Sequence, residues 1–177
     1  MAILKVARMG HPVLRAKARA IPRGDIKSAA VQKLIDDLIE TMVEYHGVGL
    51  AAPQIHESLR VFVAAVAGDD GEPTAEREPL VVINPEITPV GGETVEDWEG
   101  CLSIPDIRGR VPRAREIKVR AFDRNGERLE LRAHDFPARV IQHEADHLDG
   151  VLFFDRMKSF ETLTFLDEYS RYWTPDE

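Results

Sequence analysis

The sequence predicts an α+β fold: small antiparallel or mixed sheets packed around a central helix that carries a His-Glu-x-x-His motif, with a C-terminal helix after it. Three observations predict it. Short runs rich in valine and isoleucine, Arg60 to Ala67 and Leu80 to Asn84, lie between segments of helical periodicity without alternating regularly with them. A period-two stretch folds back on itself around an Asn-Gly dipeptide, which marks an antiparallel hairpin. The chain has 177 residues, 44% hydrophobic and 31% charged, which suits one domain with a substantial core. Residues 1–177 are therefore expected to form a single domain.

The first helix is expected from about Ser28 to His46. Val31, Leu34, Ile35, Leu38, Ile39, Met42 and Val43 recur at helical spacing and form one apolar stripe. Asp25 or Ser28 can cap its start, and Gly47 suits a left-handed turn at its end. Gly47 to Gln54 is too rich in small residues and proline to continue a helix. The two valine-rich runs read as strands, and the acidic stretch Gly68 to Pro79 between them reads as an exposed loop. Ile117, Val119 and Ala121 alternate with charges before the turn Asp123-Arg124-Asn125-Gly126, and Leu129 and Leu131 alternate after it. A second helix is expected from about Pro137 to Leu148, with Asp135 as its cap and Gly150 just past its end. A third is expected from about Lys158 to Tyr172, with Leu163, Leu166 and Tyr169 on one face.

The formal charge is −8, with acids spread along the chain, so a nucleic-acid backbone is not expected as the partner. Arg108, Arg110, Arg113 and Arg115 form a local basic run that reads as a solvated loop and strand edge. Met1 to Gly10 lacks an apolar stretch of signal-peptide length and no segment is long and apolar enough to span a bilayer, so the expected place is the cytoplasm, with no membrane partner. The single cysteine, Cys101, excludes an internal disulfide.

The chemistry concentrates in His143-Glu144-Ala145-Asp146-His147. Residues four apart share a helical face, so both imidazoles can point at one metal ion, and Glu144 can reach a water there as a base. Two histidines packing a helix would show the same spacing, but buried imidazole nitrogens need partners, and a metal satisfies both at once. A catalytic ion needs a third protein ligand. Asp155, Glu161, Asp167 and Glu168 lie downstream, as a zinc endopeptidase would require; Cys101, in Glu99-Gly100-Cys101-Leu102-Ser103, is the competing choice. A zinc-stabilised binding module is a further reading and would need a fourth ligand. His11, His46, His56 and His134 read as surface or structural histidines, and Trp98 and Trp173 as packing residues.

Taken together these residues resemble the peptide deformylase family. Gly47-Val48-Gly49-Leu50-Ala51-Ala52-Pro53-Gln54, Glu99-Gly100-Cys101-Leu102-Ser103 and Gln142-His143-Glu144-Ala145-Asp146-His147 match its three motifs in order, and similarity continues through Met9 to Arg15 and Ile104 to Ala114. The resemblance implies Cys101, His143 and His147 as metal ligands and Glu144 as general base and later acid. It implies Gln54, through its amide, and Leu102, through its backbone N–H, as donors to the developing oxyanion. Val48 and Gly49 would line the substrate channel and bond the peptide backbone, with Glu99 and Gly100 also at the substrate. Phe136 and Val140 would wall the methionine pocket, and Arg108 would stand near its mouth. The cofactor implied is one divalent ion, ferrous iron first, with zinc, nickel or cobalt as replacements. The substrate implied is the N-formyl-methionyl end of nascent polypeptides, near the ribosome exit. Asp135 stands where many members have glycine, and Arg139 where other branches are often apolar.

Overall fold

The computed structural model describes residues 2–66 and 78–174; the expected loop at Gly68 to Pro79 lies mostly outside them. The elements in order are α1 (Ala29–Glu44), β1 (Gly49–Ala51), β2 (Val61–Ala64), β3 (Leu80–Cys101), β4 (Ile104–Phe122), β5 (Arg128–His134), α2 (Asp135–Leu148), β6 (Thr164–Phe165) and α3 (Leu166–Tyr172). Short 3-10 turns fill the connections, among them Ala52–Ile55 and Phe153–Arg156. Strands β1 to β5 pair antiparallel in sequence order, and β6 joins at β4. The fold is α+β, as the patterning predicts, but one continuous ladder replaces several small sheets. Register shifts at Ile83/Glu86, Val90/Thr94 and Glu99/Cys101 interrupt its long β3–β4 pairing, and such bulges bend and twist the strands.

β2 explains why the sheet sits between two helices. All four of its residues are buried. Phe62 and Ala64 belong to the core that α2 completes with Val140, Ile141 and Leu148, while Val61 and Val63 belong to the core of α1, with Ile35, Leu38 and Met42. Successive side chains of a strand point to opposite faces, so an unbroken apolar run is what a strand covered on both sides requires. α2 packs against β1, β2, β4 and β5, which makes it the central helix.

Local signals decide most element ends. Ser28 caps α1, its hydroxyl accepting from the Val31 N–H. The left-handed residue after α1 is His46, with φ 54°, rather than Gly47, and Val43, expected in the apolar stripe, is exposed. Gly126, at φ 74°, closes the β4–β5 turn, where the Asp123 carboxylate accepts from the N–H groups of Asn125 and Glu127. α2 begins at Asp135, two residues before Pro137. Asp135 does not cap it: the residue sits at φ 53°, and its carboxylate is taken by Arg115 and His134. That positive φ is why glycine suits the position.

The largest departure is at the C-terminus. Lys158 to Tyr172 was expected to be one helix; Phe160–Thr162 is instead a 3-10 turn, Thr164 and Phe165 pair with Arg108 and Ile107, and only Leu166–Tyr172 is helical. A strand edge offered by β4 outweighs the helical spacing of Leu163, Leu166 and Tyr169.

Candidate metal centre

Three elements converge on one buried point. Cys101 ends β3 beside the bulge at Gly100, His143 and His147 come from consecutive turns of α2, and Gln54 comes from the 3-10 turn after β1. The Cys101 sulfur lies 3.3 Å from His147 Nε2. One donor atom each from Cys101, His143 and His147 falls within 4.8 Å of the others. The two imidazole rings stand edge to face with centroids 5.0 Å apart. A thiolate with two imidazoles is a donor set for a borderline or soft divalent ion, and the residues fit one. Among the described residues no other such cluster forms around the motif. Asp155 is engaged by Arg15 and the Leu152 N–H, Glu168 pairs with Arg171, and Glu161 and Asp167 are not part of the cluster. Among the described residues, no downstream carboxylate or imidazole joins the cluster, either as an endopeptidase's third ligand or as a fourth ligand closing the site.

Behind His143 stands a charged scaffold that the sequence reading missed. Glu99 Oε2 accepts from His143 Nδ1 at 2.9 Å, which fixes the ring and turns Nε2 toward the cluster. The same carboxylate accepts from Arg113 Nε and Nη2, both at 2.9 Å, and from Arg139 Nη1 at 2.7 Å. Arg113 continues to Asp146, which also accepts from Arg156. Arg113 is thus buried, against the expectation of a solvated basic run, and Arg139 ties α2 to the Val95 and Val111 carbonyls. Arg139 and Asp146 lie four residues before and three after His143. Charge at those positions of a buried helix was the available signal. Burial raises the Glu99 carboxyl, but the Arg113 and His143 hydrogen bonds and charges outweigh it and hold it well below the usual carboxylate range. Burial likewise pushes the Cys101 thiol up, and His147 and His143 outweigh that, leaving it well below its ordinary value.

Glu144 is different. It is 4% exposed, and its Oε2 is buried with no hydrogen-bond partner. Its carboxyl lies against Gly49, where a Cβ would collide with it. That close approach is what the glycine permits. Burial pushes Glu144 up from 4.5 to about 7, against the lowering effect of His143 and His147. A raised carboxyl costs the ion-free fold nothing below the unfolded value, where both states are protonated. The cost grows between 4.5 and about 7 and is complete above. In chelator-treated protein the stability gap between Glu144→Gln and the parent should therefore widen, in favour of the variant, by on the order of 3 kcal/mol from pH 4.5 to pH 8. Urea melts at the two pH values measure it; a constant gap would mean that Glu144 titrates as an ordinary carboxylate.

Gln54 is 2% exposed. Its Oε1 accepts from the Ala51 N–H at 2.8 Å, which orients the amide so that Nε2 faces Ser103 Oγ at 3.2 Å and the Cys101 sulfur at 3.6 Å. Leu102 follows the cysteine and packs at Gly47. A cavity of about 940 Å³ opens over the cluster, and its wall includes Val48, Gly49, Gly100, Leu102, Arg108, Phe136 and Val140, together with Glu99 and Arg139. Val48 and Phe136 are half exposed and Val140 is buried. Arg108 lies across Gly100, where a Cβ would strike its guanidinium. Among the described residues β1 is the edge of the sheet, paired on one side, with β2. Of the other histidines, His46 reaches the cavity wall, while His11 and His56 meet each other edge to face. Trp98, read as packing, also faces the cavity.

Known proteins resemble the whole arrangement. A family model described as polypeptide deformylase matches residues 3–162. The chain is 46% identical over 168 residues to peptide deformylase 2 of Nostoc sp., covering 94% of this chain and 93% of that one. It is 44% identical over 154 residues to the peptide deformylase of Dictyoglomus thermophilum, covering 87% and 92%. Among solved structures, a class I type b peptide deformylase from Acinetobacter baumannii superposes with a TM-score of 0.82 at 39% identity, covering 89% of this chain and all of that one. The Thermotoga maritima peptide deformylase superposes with a TM-score of 0.79 at 39% identity.

Proposed function

This chain belongs to the polypeptide deformylase family, and from that membership we propose how its own residues carry out the reaction. The chain is a peptide deformylase, a metallohydrolase that removes the formyl group from nascent peptides. The observation that carries the residue assignment is a buried Glu144 carboxyl, one oxygen of it unpartnered, beside three converging donor atoms and lining an open cavity.

Cys101, His143 and His147 would hold the ion. When bound, it supplies Lewis-acid polarisation of the formyl oxygen and a water acidic enough to lose its proton near neutral pH. Glu144 takes that proton as the water oxygen bonds to the formyl carbon. It then gives the proton to the departing nitrogen as the C–N bond breaks, releasing formate and a free amino terminus. A carboxyl raised toward neutrality suits both roles, since it must accept and donate in one cycle. Gln54 Nε2 and the Leu102 N–H donate to the oxygen that gains charge. The free edge of β1 at Gly49, with Val48 beside it, bonds the peptide backbone as an added strand would. Phe136 and Val140 hold the methionine side chain, with Arg108 at the mouth and Gly100 along the adjoining wall; Glu99, whose two carboxylate oxygens accept from His143, Arg113 and Arg139, orients the histidine instead of meeting the substrate. Residues 1–177 act as one catalytic domain.

Iron(II) is the native ion in this reading, with zinc, nickel or cobalt able to replace it, because a thiolate with two imidazoles accepts each of them. Thiolate ligation also fits a reducing compartment, the cytoplasm, where formyl-methionyl chains leave the ribosome. No helix of the described residues is long and apolar enough to cross a membrane.

Formate release from a formylated methionyl tripeptide, set beside its unformylated and acetylated analogues, tests the activity. Only the formylated peptide should turn over; equal rates on the acetylated peptide would point to a broader amidase. In the same assay Gln54→Ala should lower kcat about a hundredfold, the typical cost of one oxyanion donor, with the ion retained. An undiminished rate would remove Gln54 from the mechanism.

A further inference from the structure

The family match ends at residue 162, yet the chain beyond it reaches the cavity: Leu166 is part of the wall. Several contacts hold this last segment in place. Thr164 and Phe165 pair with Arg108 and Ile107 of β4. The stretch leading into it is held too: the Thr162 hydroxyl accepts from the Arg110 N–H at 3.2 Å, and Lys158 pairs with Glu96 at 3.8 Å. Trp98, itself in the wall, meets the ring of Tyr169 edge to face at 4.9 Å and that of Trp173 at 5.4 Å.

The β3–β4 register makes these contacts one continuous surface. Trp98 lies opposite Arg110, Glu99 opposite Gly109, and Arg108 crosses Gly100. β6 adds to β4 at Ile107 and Arg108, so the chain enters α3 at Leu166 beside this surface, and Leu166 and Arg108 line the same cavity. Aromatic pairs of this geometry are worth more than their buried area alone, so Tyr169 and Trp173 limit how far Trp98 can turn.

We propose that the C-terminal segment Thr164–Trp173 is a specificity wall of the substrate cavity. Leu166 contacts the apolar side chain of the substrate's first residue directly, and Tyr169 and Trp173 act as positioning residues through Trp98. The proposal rests on the deformylase reading and names which side chains set its choice of first residue. A pocket wall of this kind discriminates by volume, so removing or adding a few carbons changes selectivity by roughly ten- to two-hundredfold.

The test compares the metal-loaded full chain with Leu166→Ala and Leu166→Trp on formyl-Met-Ala-Ser and formyl-Phe-Ala-Ser. Leu166→Ala should raise KM for the methionyl peptide about fivefold, leave kcat within twofold, and shift the Met/Phe ratio of kcat/KM about tenfold toward phenylalanine. Leu166→Trp should shift that ratio the other way. Tyr169→Ala should move it in the same direction as Leu166→Ala, by a smaller factor. Opposite shifts from the smaller and larger side chains cannot come from loss of folding, which would lower both substrates together. If the parent enzyme is active but the ratio stays constant across the variants, or both substrates fall in parallel, the wall is merely structural and the proposal is overturned. If the parent releases no formate from either peptide, the deformylase reading itself fails, and the proposal with it.

Discussion

Replacing Glu144 with alanine is expected to lower kcat by about a thousandfold while the bound metal and KM stay near the parent values. Proton transfer by a positioned side chain contributes roughly a hundred- to ten-thousandfold, and Glu144 is placed for it. The group is outside the donor cluster, so its loss leaves the ion held. It is buried with one oxygen unpartnered, an arrangement that destabilises a fold and persists where the group has work to do. Gly49 gives it room without a competing side chain. Glu144→Gln separates shape from chemistry, because it keeps the volume but cannot accept a proton; it should lose as much as the alanine variant. Steady-state rates and metal content on the same preparations check this. Activity within tenfold of the parent in Glu144→Gln would assign the proton to another group.

Cys101→Ser is expected to cut metal affinity by on the order of a hundredfold or more and to remove activity with it. The thiol is held well below its ordinary value by His147 and His143 despite burial, which favours the thiolate that binds an ion, whereas a serine hydroxyl stays protonated. Thiolates bind soft and borderline ions far better than alcohols do. The scaffold of Glu99, Arg113 and Arg139 remains in the variant, so the imidazoles keep their orientation and the loss isolates the sulfur. Elemental analysis after dialysis, beside the formate assay, measures it. Full metal content with activity retained would mean that another side chain supplies the third bond, as the endopeptidase reading requires.

Much of this was legible in the chain because its signals are local. Ser28 three residues before Val31, Asn125-Gly126 between alternating strands, and His143 and His147 one helical turn apart each act within a few residues, and each stands where the spacing places it. Cys101 was identifiable only as one choice among several, since nothing local distinguishes a ligand from a small buried hydrophobe; the three motifs in order carried that step. Effects that depend on distant partners were not legible. Arg113 looked solvated among three other arginines, and it is buried because Glu99, fourteen residues earlier, and Asp146, thirty-three later, supply the opposing charge. Thr164 and Phe165 have helical neighbours in sequence but a β4 edge in space. Asp135 looked like a cap until its positive φ turned its carboxylate to Arg115.

The account depends most on a sulfur and two imidazole nitrogens meeting at one ion. X-ray absorption at the zinc edge of zinc-loaded protein observes this directly. One sulfur at about 2.3 Å with two imidazole nitrogens near 2.0 Å is the expected first shell, and the sulfur should vanish in Cys101→Ser. A shell of nitrogen and oxygen alone in the parent protein would contradict it.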